Sequence, residues 1–374
     1  MSRDVDALPT WAEVDLGAIT RNVTRLKNLL TPATQLLTVV KAGGYGHGDT
    51  QASAAAIAGG ATWLGVARVQ EGRALRDAGV ESPILLLAEP PSASVAEVVE
   101  LDLTPTLYSE ATADAFTAAV RGRSGKVGVH LKVDTGMHRY GVPPGSAAHF
   151  WNRIESSGSL EVRGIWSHFA VAEDVLNPFT KQQFELFMDV LGSLGSRIDG
   201  VIRHIANSAG TITFPQAHLD MVRSGIAAYG IHPSPDLTEE IELDPAMSLK
   251  SRIGLIKKLP KGEPISYGQR YTMPNEGFLA TIPCGYADGM RRGLTNRGDV
   301  LINGKRYPIC GSITMDHFLV DTGTDEMAIG DEVVILGSQG KEQISAQEIA
   351  DNLETIPYEI VCGISSRVPR IYRG

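Results

Sequence analysis

The stretch VVKAGGYGHG (39–48) sets a lysine, Lys41, at the end of an apolar run. An unpaired ammonium there costs several kcal/mol to desolvate, so the position needs a reason. As a structural residue Lys41 would snorkel or pair with a carboxylate. As a chemical group, a desolvated lysine sheds its proton and becomes a nucleophile toward a carbonyl. Gly43 and Gly44 let backbone approach a ligand closely, and Tyr45 offers a hydroxyl to an anion. His47 reads as a capping or packing residue of the turn. A second stretch, SGIAAYG (224–230), puts the N–H groups of Gly225 and Ile226 at a strand-to-helix turn, which suits a phosphate, and Ser208 would add a hydroxyl.

These groups need elements to position them. Short continuous apolar runs recur at 36–40, 63–67, 83–88, 103–108, 127–133, 162–169, 202–206 and 221–230. Unbroken rather than alternating, they read as strands covered on both faces. Amphipathic segments lie between them, such as 16–30, 69–79 and 177–195, the last opening on Asn-Pro. Eight strands separated by helices predict a (β/α)8 barrel over residues 1–240. The polar residues then fall at strand C-termini: Lys41, Arg68, Lys132 with Asp134, His168, Asn207 with Ser208, and Arg223. In a barrel those ends share the catalytic rim.

Past residue 240 the pattern changes. An acidic, Pro-bearing linker is followed by β-type runs, including LKSRIGLIKKL, and by an Asn303-Gly304 hairpin signal. One helix is predicted at 344–354. Residues 241–374 therefore read as a second, mostly β domain, and the early segment 10–16 has the character to pack with it. The length of 374 residues accommodates a barrel of about 250 residues plus a second unit.

The formal charge of −9, from 43 acids against 34 bases, argues against a nucleic-acid polymer as partner. The three cysteines, Cys284, Cys310 and Cys362, are widely spaced and suit a reducing, cytoplasmic compartment. No membrane-length apolar stretch occurs, no metal-ligand spacing is present, and the N-terminus lacks a signal pattern.

A carbonyl-reactive lysine and a phosphate cradle on one barrel suggest pyridoxal 5'-phosphate, with a phosphorylated-sugar aldolase as the other fit. The motifs then resemble the alanine racemase family. VVKAGGYGHG looks like its lysine motif, and LKVDTGMHRYG (131–141), SHFA, ANSAG and VRSGIAAYG resemble further barrel motifs. ISYGQRY, PCGYADG, GSITMDH, IPYEIVC and SSRVPR resemble motifs of its β domain. The matches run in order from about residue 10 to the end of the chain.

The resemblance implies residue roles. Lys41 would carry the cofactor as a Schiff base. Tyr45, Ser208, Gly225, Ile226 and Tyr358 would bind its phosphate, and Arg223 would face the pyridine nitrogen. Asn207 and His168 would stand around it. Tyr267 would be the second base, supplied by the partner in a homodimer. Arg139 and the Met315 backbone would meet the substrate carboxylate. Lys132 would be carbamylated and orient the arginine, with Tyr286 and Asp316 in support. Two bases on opposite faces suit racemisation, which removes a proton from one face of Cα and returns it on the other. The implied activity interconverts L- and D-alanine, supplying D-alanine for bacterial peptidoglycan. Racemisation of serine or of a broader set of small amino acids stands beside it. A decarboxylase of the same architecture is disfavoured by Arg223, and a cofactor-binding protein without catalysis is disfavoured by the second domain.

Four positions depart from the family pattern. Gly43-Gly44 replace Asn-Ala, and His138 stands where glycine is common. Ser224 replaces a proline, removing some rigidity. Thr314 stands where cysteine is frequent. His138 and Thr314 bear on the size of the substrate.

Overall fold

The computed structural model describes residues 7–122 and 125–374. The chain divides into two compact units. Among the described residues, one comprises 7–18, 45–48 and 245–374; the other comprises 19–44, 49–122 and 125–244. The stretch VVKAGGYGHG is therefore shared, with Lys41 in the barrel unit and Tyr45 in the other.

The strand β1 (Thr10–Asp15) precedes the barrel. The barrel strands are β2 (Gln35–Val39), β3 (Trp63–Val66), β4 (Ile84–Leu86), β5 (Thr104–Leu107), β6 (Val127–Lys132), β7 (Leu160–Trp166), β8 (Ile202–His204) and β9 (Met221–Ser224). All eight predicted strands form, in parallel, and the sheet runs from β8 back to β2 and on to β9. The ring is nearly closed: Arg223 N–H donates to the Ala206 carbonyl at 3.0 Å, and Asp220 N–H donates to the Arg203 carbonyl at 3.1 Å. Helices cover the outside with apolar faces. Helix Ala147–Glu155 buries Phe150, Trp151 and Ile154, and helix Phe179–Leu194 buries Phe187, Val190 and Leu191. The Asn-Pro signal works locally, since Asn177 Oδ1 accepts from Phe179 N–H at 3.0 Å.

In the other unit, β10 (Met247–Arg252) pairs antiparallel with β1, and β1 pairs in parallel with Arg370–Arg373. The first and last segments of the chain thus complete one β sheet. Asn303 and Gly304 have φ of 51° and 75° and join Asp299–Ile302 to Lys305–Cys310, the hairpin their sequence predicts. Helix Ala346–Asn352 starts on Ser345, whose side chain accepts from Glu348 N–H. LKSRIGLIKKL is not one strand. It breaks at Ile253-Gly254 into β10 and Leu255–Leu259, which join opposite regions of the sheet. The residue types of the run suit a strand throughout, but β10 buries alternate residues while Leu255–Leu259 buries none, a difference set by the partner strands.

Candidate active site

Lys41 directly follows the buried Val40 at the C-terminal end of β2. After it the backbone turns left-handed: Ala42, Gly43, Gly44 and Tyr45 have φ of 55°, 63°, 61° and 53°. An L-residue in that region costs about 1–2 kcal/mol, whereas glycine enters it freely. The glycine pair thus halves the strain of a four-residue left-handed turn. A Cβ at Gly43 would meet open space, but one at Gly44 would lie 3.1 Å from Ala52 Cβ and 3.3 Å from the Asp49 backbone. Glu71 ties down the start of this turn. Its Oε1 accepts from Ala42 N–H at 2.7 Å, and its Oε2 accepts from Ala67 and Arg68 N–H at 2.8 and 3.0 Å.

Arg223 is buried at the end of β9 and is surrounded by acceptors. Nη1 donates to His204 Nδ1 at 2.8 Å, and Nη2 donates to the Ser167 and Ile205 carbonyls at 2.8 and 3.0 Å and to His168 Nδ1 at 3.1 Å. Arginine is donor-only, so both histidines must accept at Nδ1 and carry their proton on Nε2. His204 then donates from Nε2 to His130 Nδ1 at 2.9 Å. Burial, reinforced by the charge of Arg223, pushes His130 down to about 3 and His204 and His168 well below their ordinary value, so all three are neutral. Burial also lowers the guanidinium toward about 9, and its four acceptors favour the charged form. Arg223 Nε takes part in none of these bonds.

Lys132 lies at the end of β6. Burial, then the charges of Arg223 and Arg139, lower its amine to about 7. Its Nζ lies 4.1 Å from the centroid of the Trp166 ring, and the Arg223 guanidinium carbon lies 4.5 Å from the same ring. Trp166 also stacks on His204 with 7° between planes. Its π-face is the counterweight for two like charges that water cannot reach.

Ser208 and the turn after β9 are in direct contact. Gly225 N–H donates to Ser208 Oγ at 2.8 Å, and Ser224 Oγ lies 3.4 Å from the same hydroxyl. The departure from proline therefore adds a buried hydroxyl to the turn. Ile226 opens a short 3₁₀ turn. Asn207 caps the helix Ser208–Thr213, accepting from Gly210 N–H at 2.9 Å. Arg139 is exposed on a loop closed by Asp134.

The remaining sequence-selected residues lie in the other unit. Tyr45 and Tyr358 face each other with ring centroids 6.1 Å apart. His47 is buried with Nδ1 3.0 Å from the Tyr45 carbonyl, a packing role in the turn. Gly46 passes so close to Val361 that a Cβ would meet its carbonyl oxygen at 2.3 Å. Tyr267, Met315 and Tyr286 are large apolar residues left 76%, 53% and 44% exposed. The Tyr267 carbonyl accepts from Ser312 Oγ at 2.7 Å. Tyr286 N–H and Ala287 N–H donate to the Thr314 and Met315 carbonyls at 3.0 Å each, which ties the two loops together. Thr314 turns its hydroxyl back onto the His317 carbonyl at 2.8 Å. Asp316 pairs with Arg367 at 3.0 Å.

Glu71, Trp166, His204 and His130 were not selected from the sequence. Only Glu71 carried a signal, an acid three residues after a strand-end residue that begins a helix. The other three read as core because their partners lie on other strands.

Two family models match the chain: the N-terminal domain of alanine racemase over residues 14–233 and its C-terminal domain over 246–372. An alanine racemase of Symbiobacterium thermophilum is 44% identical, with 99% of each chain covered. The crystal structure of alanine racemase from D-cycloserine-producing Streptomyces lavendulae superposes with a TM-score of 0.92 at 39% identity, covering 98% of this chain and 97% of that one. The Bacillus anthracis alanine racemase with bound L-Ala-P gives 0.92 at 37%, covering 98% and 95%.

Proposed function

The chain belongs to the alanine racemase family of isomerases, and from that premise we propose a pyridoxal-phosphate-dependent, two-base interconversion of L- and D-alanine. The observation that carries the cofactor reading is Arg223: a buried guanidinium locked by four acceptors, with Nε–H still to spend. The rim residues fit an anionic group with a ring nitrogen. Lys41, Lys132, Arg139 and Arg223 are near enough for their charges to act together on His168. Ser208 and the Ile226 N–H suit the phosphate, the Gly225 N–H would turn to it from Ser208 Oγ, and Tyr45 and Tyr358 would add phenols.

Bound there, pyridoxal phosphate supplies an electron sink that makes the substrate Cα–H acidic. Lys41 Nζ would anchor the group and exchange a proton at one face of Cα. Tyr267 Oη, from a second copy of the chain, would exchange a proton at the other. Arg223 would donate a hydrogen bond to the ring nitrogen without surrendering its proton, which would keep the sink weak and disfavour side reactions. Asn207 and His168 would hold the ring's surroundings, the latter as a neutral imidazole. Arg139 and the Met315 N–H would orient the substrate carboxylate, with Tyr286 and Asp316 in support. A Lys132 amine near neutrality at pH 7 can add carbon dioxide, forming an N–C bond with loss of a proton; the resulting anion would orient Arg139. The exposed Tyr267, Tyr286 and Met315 support a homodimer. No helix among the described residues is long and apolar enough to cross a membrane. The reading is of a cytoplasmic enzyme supplying D-alanine to peptidoglycan.

The test is a chiral assay of the purified protein, loaded with pyridoxal phosphate, against alanine, serine and larger amino acids. D-alanine from L-alanine is expected; its absence with cofactor bound sinks the reading. Lys41→Ala should abolish the absorption of the lysine-bound cofactor, and Tyr267→Phe should abolish racemisation while leaving that absorption in place.

A further inference from the structure

We propose that Glu71 is a positioning residue for Lys41, resting on the reading of Lys41 as the cofactor-bearing amine. One carboxylate accepts three backbone N–H groups from two segments: Ala42 at the lysine turn, and Ala67 with Arg68 at the end of β3. Ala42 directly follows Lys41 and holds φ of 55°, a region an alanine does not choose unaided. Bonds on either side of the turn include Val40 N–H to the Gly65 carbonyl at 2.8 Å and Gly44 N–H to the Val40 carbonyl at 2.9 Å. Glu71 reaches the peptide that joins Lys41 to Ala42. Its own place is set by the helix Val69–Asp77, whose first turn it occupies. A rigid helix thereby fixes the direction from which the Lys41 side chain leaves the backbone. Ordinary helix capping accounts for the bonds to Ala67 and Arg68. It does not account for the bond to Ala42, 29 residues away in sequence.

Glutamine at this position has one acceptor oxygen and cannot serve both segments. A displaced catalytic group loses rate more than binding. In the cofactor-loaded Glu71→Gln enzyme, kcat for alanine is expected to fall about tenfold or more with KM changed less than about twofold. The pH at which the lysine-bound cofactor's absorbance titrates should shift. Hydrogen exchange at the Ala42 amide of the cofactor-free protein should accelerate about tenfold or more, whatever the activity. Wild-type exchange at Ala42, or wild-type kcat and titration, overturns the proposal even if the variant melts earlier, and leaves Glu71 a helix cap. If Glu71→Gln does not fold, Glu71→Asp, one methylene shorter, is read the same way. A wild-type protein that shows no lysine-bound absorbance overturns the cofactor reading instead.

Discussion

His138 Nδ1 lies 3.1 Å from Asp134 Oδ2, while His138 N–H donates to Oδ1 of the same carboxylate at 2.9 Å. Gly136 N–H donates to Oδ1 as well, at 3.0 Å, so one carboxylate at the end of β6 closes the loop that carries Arg139. His138 holds φ of 54°, and its side chain is 82% exposed. The departure from glycine thus points back at its own loop. Strain and pairing nearly offset: glycine would relieve about 1 kcal/mol of left-handed strain and lose an exposed contact worth about 0–1 kcal/mol. His138→Gly should therefore melt close to wild type, and His138→Ala, which keeps the strain and loses the contact, should melt lower. Thermal unfolding of the two variants decides the order.

The Asp134 carboxyl gives the loop an acid limit. Burial alone would raise its pKa, but the N–H groups of His138 and Gly136 outweigh it and hold the pKa below the ordinary 3.8. The folded state then binds fewer protons than the unfolded state, so this contribution is complete above pH 3.8 and fades as pH falls through the lower folded value. Asp134→Asn keeps one acceptor oxygen but loses the charge and the second, so it should be less stable than wild type at pH 6 by about 1 kcal/mol, with the gap narrowing toward pH 2. A constant gap in denaturant titrations across that range would count against this.

Lys132 predicts a slope of the same sign at alkaline pH. Its amine sits near 7 when folded and near 10.5 when unfolded. Between those values the unfolded state binds more protons, so this group adds stability as pH rises from 7 to about 10. Cofactor-free Lys132→Met should lack that rise, which paired melts at pH 7 and 9 would reveal. Incubation with ¹³C-bicarbonate should give a carbamate carbon signal in wild type that Lys132→Met lacks.

The two glycines after the lysine should not be equivalent. Gly43→Ala pays only the conformational strain of about 1 kcal/mol, and Gly43→Asn less, because asparagine tolerates this region. Gly44→Ala adds contacts with Ala52 and Asp49 that must yield by a few tenths of an ångström. Unfolding experiments should rank Gly44→Ala below Gly43→Ala and that below Gly43→Asn.

Arg223→Glu is expected to raise transamination relative to racemisation, because a carboxyl can share a proton with the ring nitrogen and a guanidinium cannot. It should also destabilise the fold by about 3–5 kcal/mol, since a carboxylate would face the Ser167 and Ile205 carbonyls. Product analysis after long incubation with alanine reads the ratio; an unchanged ratio argues that the ring nitrogen lies elsewhere.

The eight strands were legible in sequence because a strand buried on both faces leaves an unbroken apolar run, and β2 to β9 each fall within such a run or shift from it by only a residue or two. The Asn303-Gly304 hairpin was legible because the residue types that accept positive φ are few. Lys41 and Arg223 stand out in the sequence for a related reason: they are charged where the surrounding residues are apolar. The second sheet was less so. Its break at Ile253-Gly254 and the pairing of β1 with both β10 and the C-terminal strand depend on partners more than a hundred residues apart.

The sequence by itself determined the elements, the family and the titratable groups at the strand ends, since these follow from local pattern and residue type. Tertiary structure alone decided the state in which those groups are held. Closure of β8 on β9 puts Arg223 among His204, His168 and two carbonyls, and that contact dictates which imidazole nitrogens carry protons. The pairing of β6 with β7 slides Trp166 opposite Lys132, beneath its amine. A glutamate in the next helix turns out to hold the peptide after Lys41. Hydrogen bonds and desolvation depend on distance in space, which a linear pattern does not encode when the partners come from different strands.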